Sequence, residues 1–287
     1  MDRFGPSVLV EAGGEKLLFD VGRGASQRLW SRGVALSQIS AVFFTHLHSD
    51  HLVGFPDVWL TGSLPNTTFA HRTVAMRVFG PTGITALMGH LSAAFEADIR
   101  IRQADENVPA AASAIEATDI TEGVVYEHNG VKVTAFDVDH GELIKPAMGY
   151  RVDFGGHSIV LSGDTRVSEN LVKYATGVDV LFHEVASARP EQMARSEAAR
   201  RIIGHHVTPT EAAGIFARTK PRLAVYQHIV LLTTDPKGLP PTIEDVIRDT
   251  RASYKGPFQV GADLMSFDIG STITIRPTGA TAPRVVR

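Results

Sequence analysis

A compact apolar run, Ala41-Val42-Phe43-Phe44-Thr45, leads straight into His46-Leu47-His48-Ser49-Asp50-His51. No other stretch of the 287-residue chain constrains the fold as strongly. The apolar run reads as a strand buried on both faces, the pattern of a parallel sheet. The polar run then stands at its C-terminal end, on a loop where a rigid scaffold presents functional side chains. His46 and His48 are two apart, so they face the same way in an extended chain. Asp50 and His51 follow as the chain turns. One loop of this kind can feed two neighbouring metal ions. Neutral imidazole and carboxylate suit zinc, manganese or iron. A surface cluster or helix cap is the competing reading, but the pattern has little structural purpose behind a buried strand.

Composition sharpens this reading. The chain has 12 His and no Cys, which removes disulfides, thiolate metal sites, Fe–S clusters and a Cys nucleophile together. A net charge of −3 excludes a globally basic nucleic-acid coat. With 44% hydrophobic and 21% charged residues, the chain is globular and can build a sizeable core. No apolar run approaches the ~18 residues of a spanning helix, so no membrane association is expected. Glu11, Glu15 and Lys16 fall where a signal peptide would be apolar. The localisation expected is cytoplasmic by default, or export if the native start is longer.

Along the chain, residues 7–20 read as a hairpin turned by Gly13-Gly14, and residues 25–36 as a short helix. A helix is expected over 83–97 and a loop over 103–114. Strands resume near 123, with hairpin turns at Asn129-Gly130 and Gly155-Gly156. Residues 178–185 and 222–229 read as buried strands ending in polar residues. Thr208-Pro209-Thr210-Glu211 opens a capped helix, and 242–254 is an amphipathic one. The tail from 270 is expected to fray. The halves 1–120 and 121–287 share one grammar with no charge-rich linker. One α/β domain over 1–287, with two sheets and outer helices, is the expected architecture.

The His-x-His-x-Asp-His run resembles the signature of the metallo-β-lactamase superfamily. Further positions match in order: Asp20 in LLFDVG, His140 in DVDHGE, Asp164 in LSGDT and His228 in VYQHI. Each alone reads as readily as a structural residue, but together they carry a resemblance over residues 7–268. It implies a four-layer αββα sandwich, the metallo-β-lactamase fold. It also implies a binuclear centre in which His46, His48 and His140 hold one ion. Asp50, His51 and His228 hold the other, and Asp164 bridges. Two divalent cations are the implied cofactors, zinc foremost, with manganese or iron as alternatives. Asp20 is implied as an acceptor behind the ligands.

Two more segments resemble the ribonuclease Z branch. LFHEV at 181–185 matches its "HEAT" motif, and HHVTPTEAAGIFAR at 205–218 its "HST" motif. The resemblance gives Glu184 and His206 catalytic roles. Glu184 would accept from one imidazole nitrogen, and His206 would protonate the leaving oxygen. His205 is an adjacent rival, and a salt-bridge Glu184 and a capping His206 are the structural alternatives. The chain departs from tRNA-processing members in one respect: His140 and Asp164 are 24 apart, too close for that branch's long arm. Its Pro-x-Lys-x-Arg-Asn pattern is met at best by Arg3. RNA is therefore disfavoured as a partner, and Arg195, Arg200 and Arg201 read as a solvated helix face. The armless pattern resembles arylsulfatase-like and phosphodiesterase-like relatives, and a homodimer follows by analogy.

The expectation is thus a metal-dependent hydrolase of a small phosphate or sulfate ester. A water activated between the two ions attacks, and Asp50 both ligates and orients it. Phe55, Trp59, Leu60 and Phe69 could line an apolar pocket, with core packing as the alternative. Hydrolysis of a lactone, thioester or β-lactam at the same ions is the second reading. A non-catalytic scaffold that uses metal only to fold is the third.

Overall fold

In the computed structural model, which describes residues 3–65, 70–235, 237–279 and 283–286, the opening hairpin forms as its Gly-Gly turn dictates. Strand β1 (Val8–Ala12) pairs antiparallel with β2 (Glu15–Phe19). Gly13 and Gly14 both take positive φ, 57° and 81°, as a two-residue hairpin turn requires. The chain divides into two units, Met1–Thr121 with Glu127–Val131, and Glu122–Tyr126 with Lys132–Arg287.

The first unit carries a five-stranded sheet in the order β1-β2-β3-β4-β5. Its elements run α1 (Ala25–Ser31), β3 (Ala41–Phe43), α2 (Ser49–Leu52), α3 (Phe55–Gly62) and β4 (Met76–Pro81), then α4 (Ile84–Ala94), α5 (Glu96–Asp105) and β5 (Ile115–Ile120). β2 to β5 run parallel, and β3 is fully buried, as its unbroken apolar run requires. α1 stops short of residue 36, because Gly33 turns the chain at φ 71°. Residues 103–114 are not all loop. α5 runs to Asp105, with Arg102 bonded to Asp98 and to Glu106 one turn either way (3.1 and 2.9 Å). Phe55 and Trp59 belong to the core, not to a pocket wall. Both are fully buried with Phe44, and Trp59 Nε1 donates to the Ser113 carbonyl at 3.1 Å. Leu60 packs against the same cluster, and Phe69 lies outside the described residues.

The second unit's sheet follows the order β12-β11-β10-β9-β8-β7-β6. Its strands are β6 (Gly123–His128), β7 (Val131–Asp137), β8 (Met148–Phe154), β9 (His157–Leu161), β10 (Val180–Ala188), β11 (Leu223–Leu232) and β12 (Phe258–Val260). Between them come α6 (Glu169–Ala175), α7 (Pro190–Arg195), α8 (Glu197–Ile203), α9 (Pro209–Thr219) and α10 (Ile243–Ser253). β7, β8 and β9 alternate direction, while β9 to β12 are parallel. β7, β9, β10 and β11 therefore all point one way, and residues at their C-terminal ends gather along one sheet edge. Thr208 and Glu211 close the capping box of α9. Phe136, Val160, Leu181, Phe216 and Tyr226 are among its core residues. The tail does not simply fray. β13 (Ser266–Ile269), β14 (Ile273–Arg276) and β15 (Arg284–Val286) form a small antiparallel sheet. Among the described residues, no helix is long and apolar enough to cross a membrane.

Candidate metal centre

In the first unit, His46 follows β3 and His48 is still extended (φ −68°, ψ 144°), just before α2 begins. Asp50 and His51 fall in that helix, so the turn expected after His48 occurs there. The His46 ring lies 4.6 Å from His48 and 4.2 Å from His51, centre to centre. His51 Nε2 is 3.6 Å from Asp50 Oδ2. Asp20 and Thr45, both buried, stand behind these rings. Asp20 Oδ2 lies 2.8 Å from His51 Nδ1, and Asp20 Oδ1 accepts from the Thr45 amide at 2.9 Å. The Thr45 hydroxyl is 3.0 Å from Asp20 Oδ2 and 3.0 Å from His46 Nδ1. A carboxylate only accepts, so the Thr45 proton goes to Asp20 and its oxygen accepts from His46 Nδ1–H. Both rings then hold their proton on Nδ1 and offer Nε2 to a cation. Asp20 stands as an acceptor behind His51, and Thr45, which carries no sequence signal of its own, extends its reach to His46.

In the second unit, His140 follows β7 and Asp164 follows β9. His140 Nδ1 donates to the carbonyl of His205 at 2.9 Å, which again leaves Nε2 as the donor. Asp164 Oδ2 lies 3.8 Å from His140 Nε2, and Asp164 Oδ1 lies 3.4 Å from His228 Nδ1. Two ligand atoms on one tetrahedral zinc stand about 3.3–3.5 Å apart. Each carboxylate oxygen thus faces a different imidazole, the His228 pair at that spacing and the His140 pair a few tenths of an ångström wider. The donor set and its spacing in this unit fit a metal.

Glu184 and His206 are brought together. His206 Nδ1 is 3.2 Å from Glu184 Oε2, and the Val207 amide donates to Glu184 Oε1 at 2.9 Å. His206 is also near Asp164, at 4.0 Å, and its ring lies 5.1 Å from that of His140. Burial pulls the His206 pKa down, but the hydrogen bond and charge of Glu184 outweigh it, and the net shift is upward. Burial raises the Glu184 carboxyl as well, against the opposing effect of His206. His205 plays a different part. Its carbonyl orients His140, and its ring covers Gly141, whose φ of 109° and close approach exclude a side chain. A backbone acceptor has no sequence signature, so nothing in the chain marks His205 for this contact. Arg200 caps α7 through the Met193 carbonyl and Arg201 pairs with Glu197, as a solvated helix face would.

A sequence profile described as "Beta-lactamase superfamily domain" matches residues 15–229. A protein named Ribonuclease Z from Mycobacterium sp. strain KMS is 32% identical over 281 residues, covering 96% of this chain and 94% of its own. Among solved structures, YhfI of Bacillus subtilis, titled a metallo-beta-lactamase fold protein, overlays with a TM-score of 0.68 at 12% identity. That alignment covers 92% of this chain and 91% of YhfI. The short form of human tRNase Z overlays at 0.65 with 20% identity, covering 92% of each chain. These overlays carry the fold, the α/β class of the αββα sandwich. On the profile match and the mycobacterial relatives, the chain belongs to the metallo-β-lactamase superfamily as a ribonuclease Z-like member.

Proposed function

We infer that the protein is a metal-dependent phosphodiester hydrolase. His46, His48 and His140 would hold one divalent cation; Asp50, His51 and His228 would hold another, with Asp164 between them. When bound, such a pair supplies a nucleophile at neutral pH and neutralises charge on the reacting ester. Zinc suits these ligands, as do manganese and iron. Asp50 orients the nucleophile. Glu184 accepts from His206 Nδ1–H and so stabilises the imidazolium, whose Nε2 proton passes to the departing oxygen, leaving neutral His206 still bonded to Glu184. The observation that carries this reading is the buried Glu184–His206 pair beside Asp164. Such a donor serves an alkoxide leaving group, as in a nucleic-acid backbone. A relative matched over 94% of its length bears the name Ribonuclease Z, which moves RNA ahead of the small ester favoured from sequence.

The test is a panel on metal-loaded enzyme: an RNA, bis-nitrophenyl phosphate, nitrophenyl sulfate, a lactone and a cephalosporin. Turnover of the two phosphodiesters above the others supports the reading. Preference for the lactone or cephalosporin would replace it with carbon-centred hydrolysis. His46→Ala and Asp164→Ala should each abolish turnover. His206→Ala should lower turnover of RNA by about 10²–10⁴-fold and spare the activated nitrophenyl ester.

A further inference from the structure

Glu184 stands at a break in its sheet. β10 and β11 pair from Val180 with Leu223 to His183 with Tyr226, then resume at Val185 with Ile229. Two steps on β10 are matched by three on β11, so Gln227 and His228 bulge opposite Glu184. His228 takes φ 42° there, a left-handed conformation that turns its side chain out of the strand alternation. A bulge removes local peptide groups from the ladder, and buried peptide groups need partners. Side chains meet both groups of Glu184. Its N–H donates to Ser162 Oγ at 3.1 Å, and its carbonyl accepts from His183 Nδ1 at 2.7 Å.

His183 is fully buried, edge-on to Phe216 at 6.0 Å, and its Nε2 meets no hydrogen-bond partner among the described residues. Burying an imidazole nitrogen without a partner costs free energy that a leucine there would not. The one polar contact described for His183 is the Glu184 carbonyl. We propose that His183 is a positioning residue, whose Nδ1–H fixes the Glu184 peptide in the bulge so that its carboxylate reaches both His206 and the Val207 amide. Ser162 holds the same peptide from the other side. The inference rests on the proton-donor role of His206.

The test compares His183→Asn, which keeps a donor near the Nδ1 position, with His183→Leu, which removes it at similar volume. kcat and KM are measured on metal-loaded enzyme with RNA and with bis-nitrophenyl phosphate, alongside bound metal. His183→Leu should lower kcat on RNA roughly tenfold to a hundredfold, the cost of misplacing a catalytic group by about 1 Å. KM, metal content and turnover of the activated ester should stay near wild type. His183→Asn should restore most of the loss, and Ser162→Ala should show the same selectivity. Equal loss on both substrates, no loss, or no rescue by Asn would overturn the proposal. If His183→Leu fails to fold, Ser162→Ala and His183→Asn still decide it: selective loss in the first and near-normal turnover in the second are required. His206→Ala separates the two claims. An unselective His206→Ala sinks the donor reading, whereas a selective one beside an unselective His183→Leu sinks only this proposal.

Discussion

Burial holds His183 neutral, and stability should respond to acid accordingly. Its pKa is pushed down to about 4, chiefly by loss of water, against partial opposition from the Glu184 carbonyl and the Asp164 charge. The unfolded chain titrates near 6.5. Between those values the unfolded state binds the extra proton, so acid favours unfolding. The stabilising contribution is complete above about pH 6.5 and is lost as pH falls towards 4. A difference of about 2.5 units is about 3 kcal/mol, of which about 2 kcal/mol is gone at pH 5. Net stabilities are commonly about 5–15 kcal/mol, so the effect is measurable. Urea unfolding of metal-free protein at pH 7.5 and at pH 5 reads it, with His183→Asn as reference. The other histidines titrate in both proteins, and their share cancels in the comparison. Wild type should lose about 2 kcal/mol more than the variant over that interval. Coincident losses would show that His183 is not held neutral in the fold.

Thr45→Val keeps shape and removes the hydroxyl between His46 and Asp20, so metal affinity should fall about 10–100-fold in a chelator competition while the fold persists. Glu184→Gln should lower kcat on RNA and leave the nitrophenyl ester nearly untouched, because the neutral amide no longer supports a protonated His206. Trp59→Ala opens a cavity in a fully buried site and orphans the Ser113 carbonyl, and should cost about 3–5 kcal/mol in urea unfolding.

Much of the candidate centre is legible in the sequence because its chemistry is carried by side chains at strand ends. The apolar strand before His46 and the polar ends of β10 and β11 mark such positions directly. The outer acceptors are legible only in part. Asp20 follows from the family pattern, but the Thr45 hydroxyl and the His205 carbonyl do not, since threonine and a peptide oxygen look the same in any context. His183 is hidden for a related reason: its partner is a carbonyl freed by a bulge, and a bulge depends on pairing two distant strands. In the fold, α5 escapes the sequence pattern because none of its residues is fully buried: Ile99 packs against the core only in part, and charge pairs run along the surface. The tail reads as frayed because short strands in a polar, Pro-rich segment gain their order from each other. Phe55 and Trp59 suggest a pocket because apolar spacing cannot distinguish a helix facing a core from one facing a ligand.

The proposed chemistry stands on divalent cations held by the seven side chains proposed as ligands. Elemental analysis of the purified protein, followed by anomalous diffraction at the absorption edge of the metal found, tests this directly. The expected result is two ions per chain, one on His46, His48 and His140, the other on Asp50, His51 and His228, with Asp164 reaching both. A protein with no bound metal, or with ions held by other residues, would contradict it.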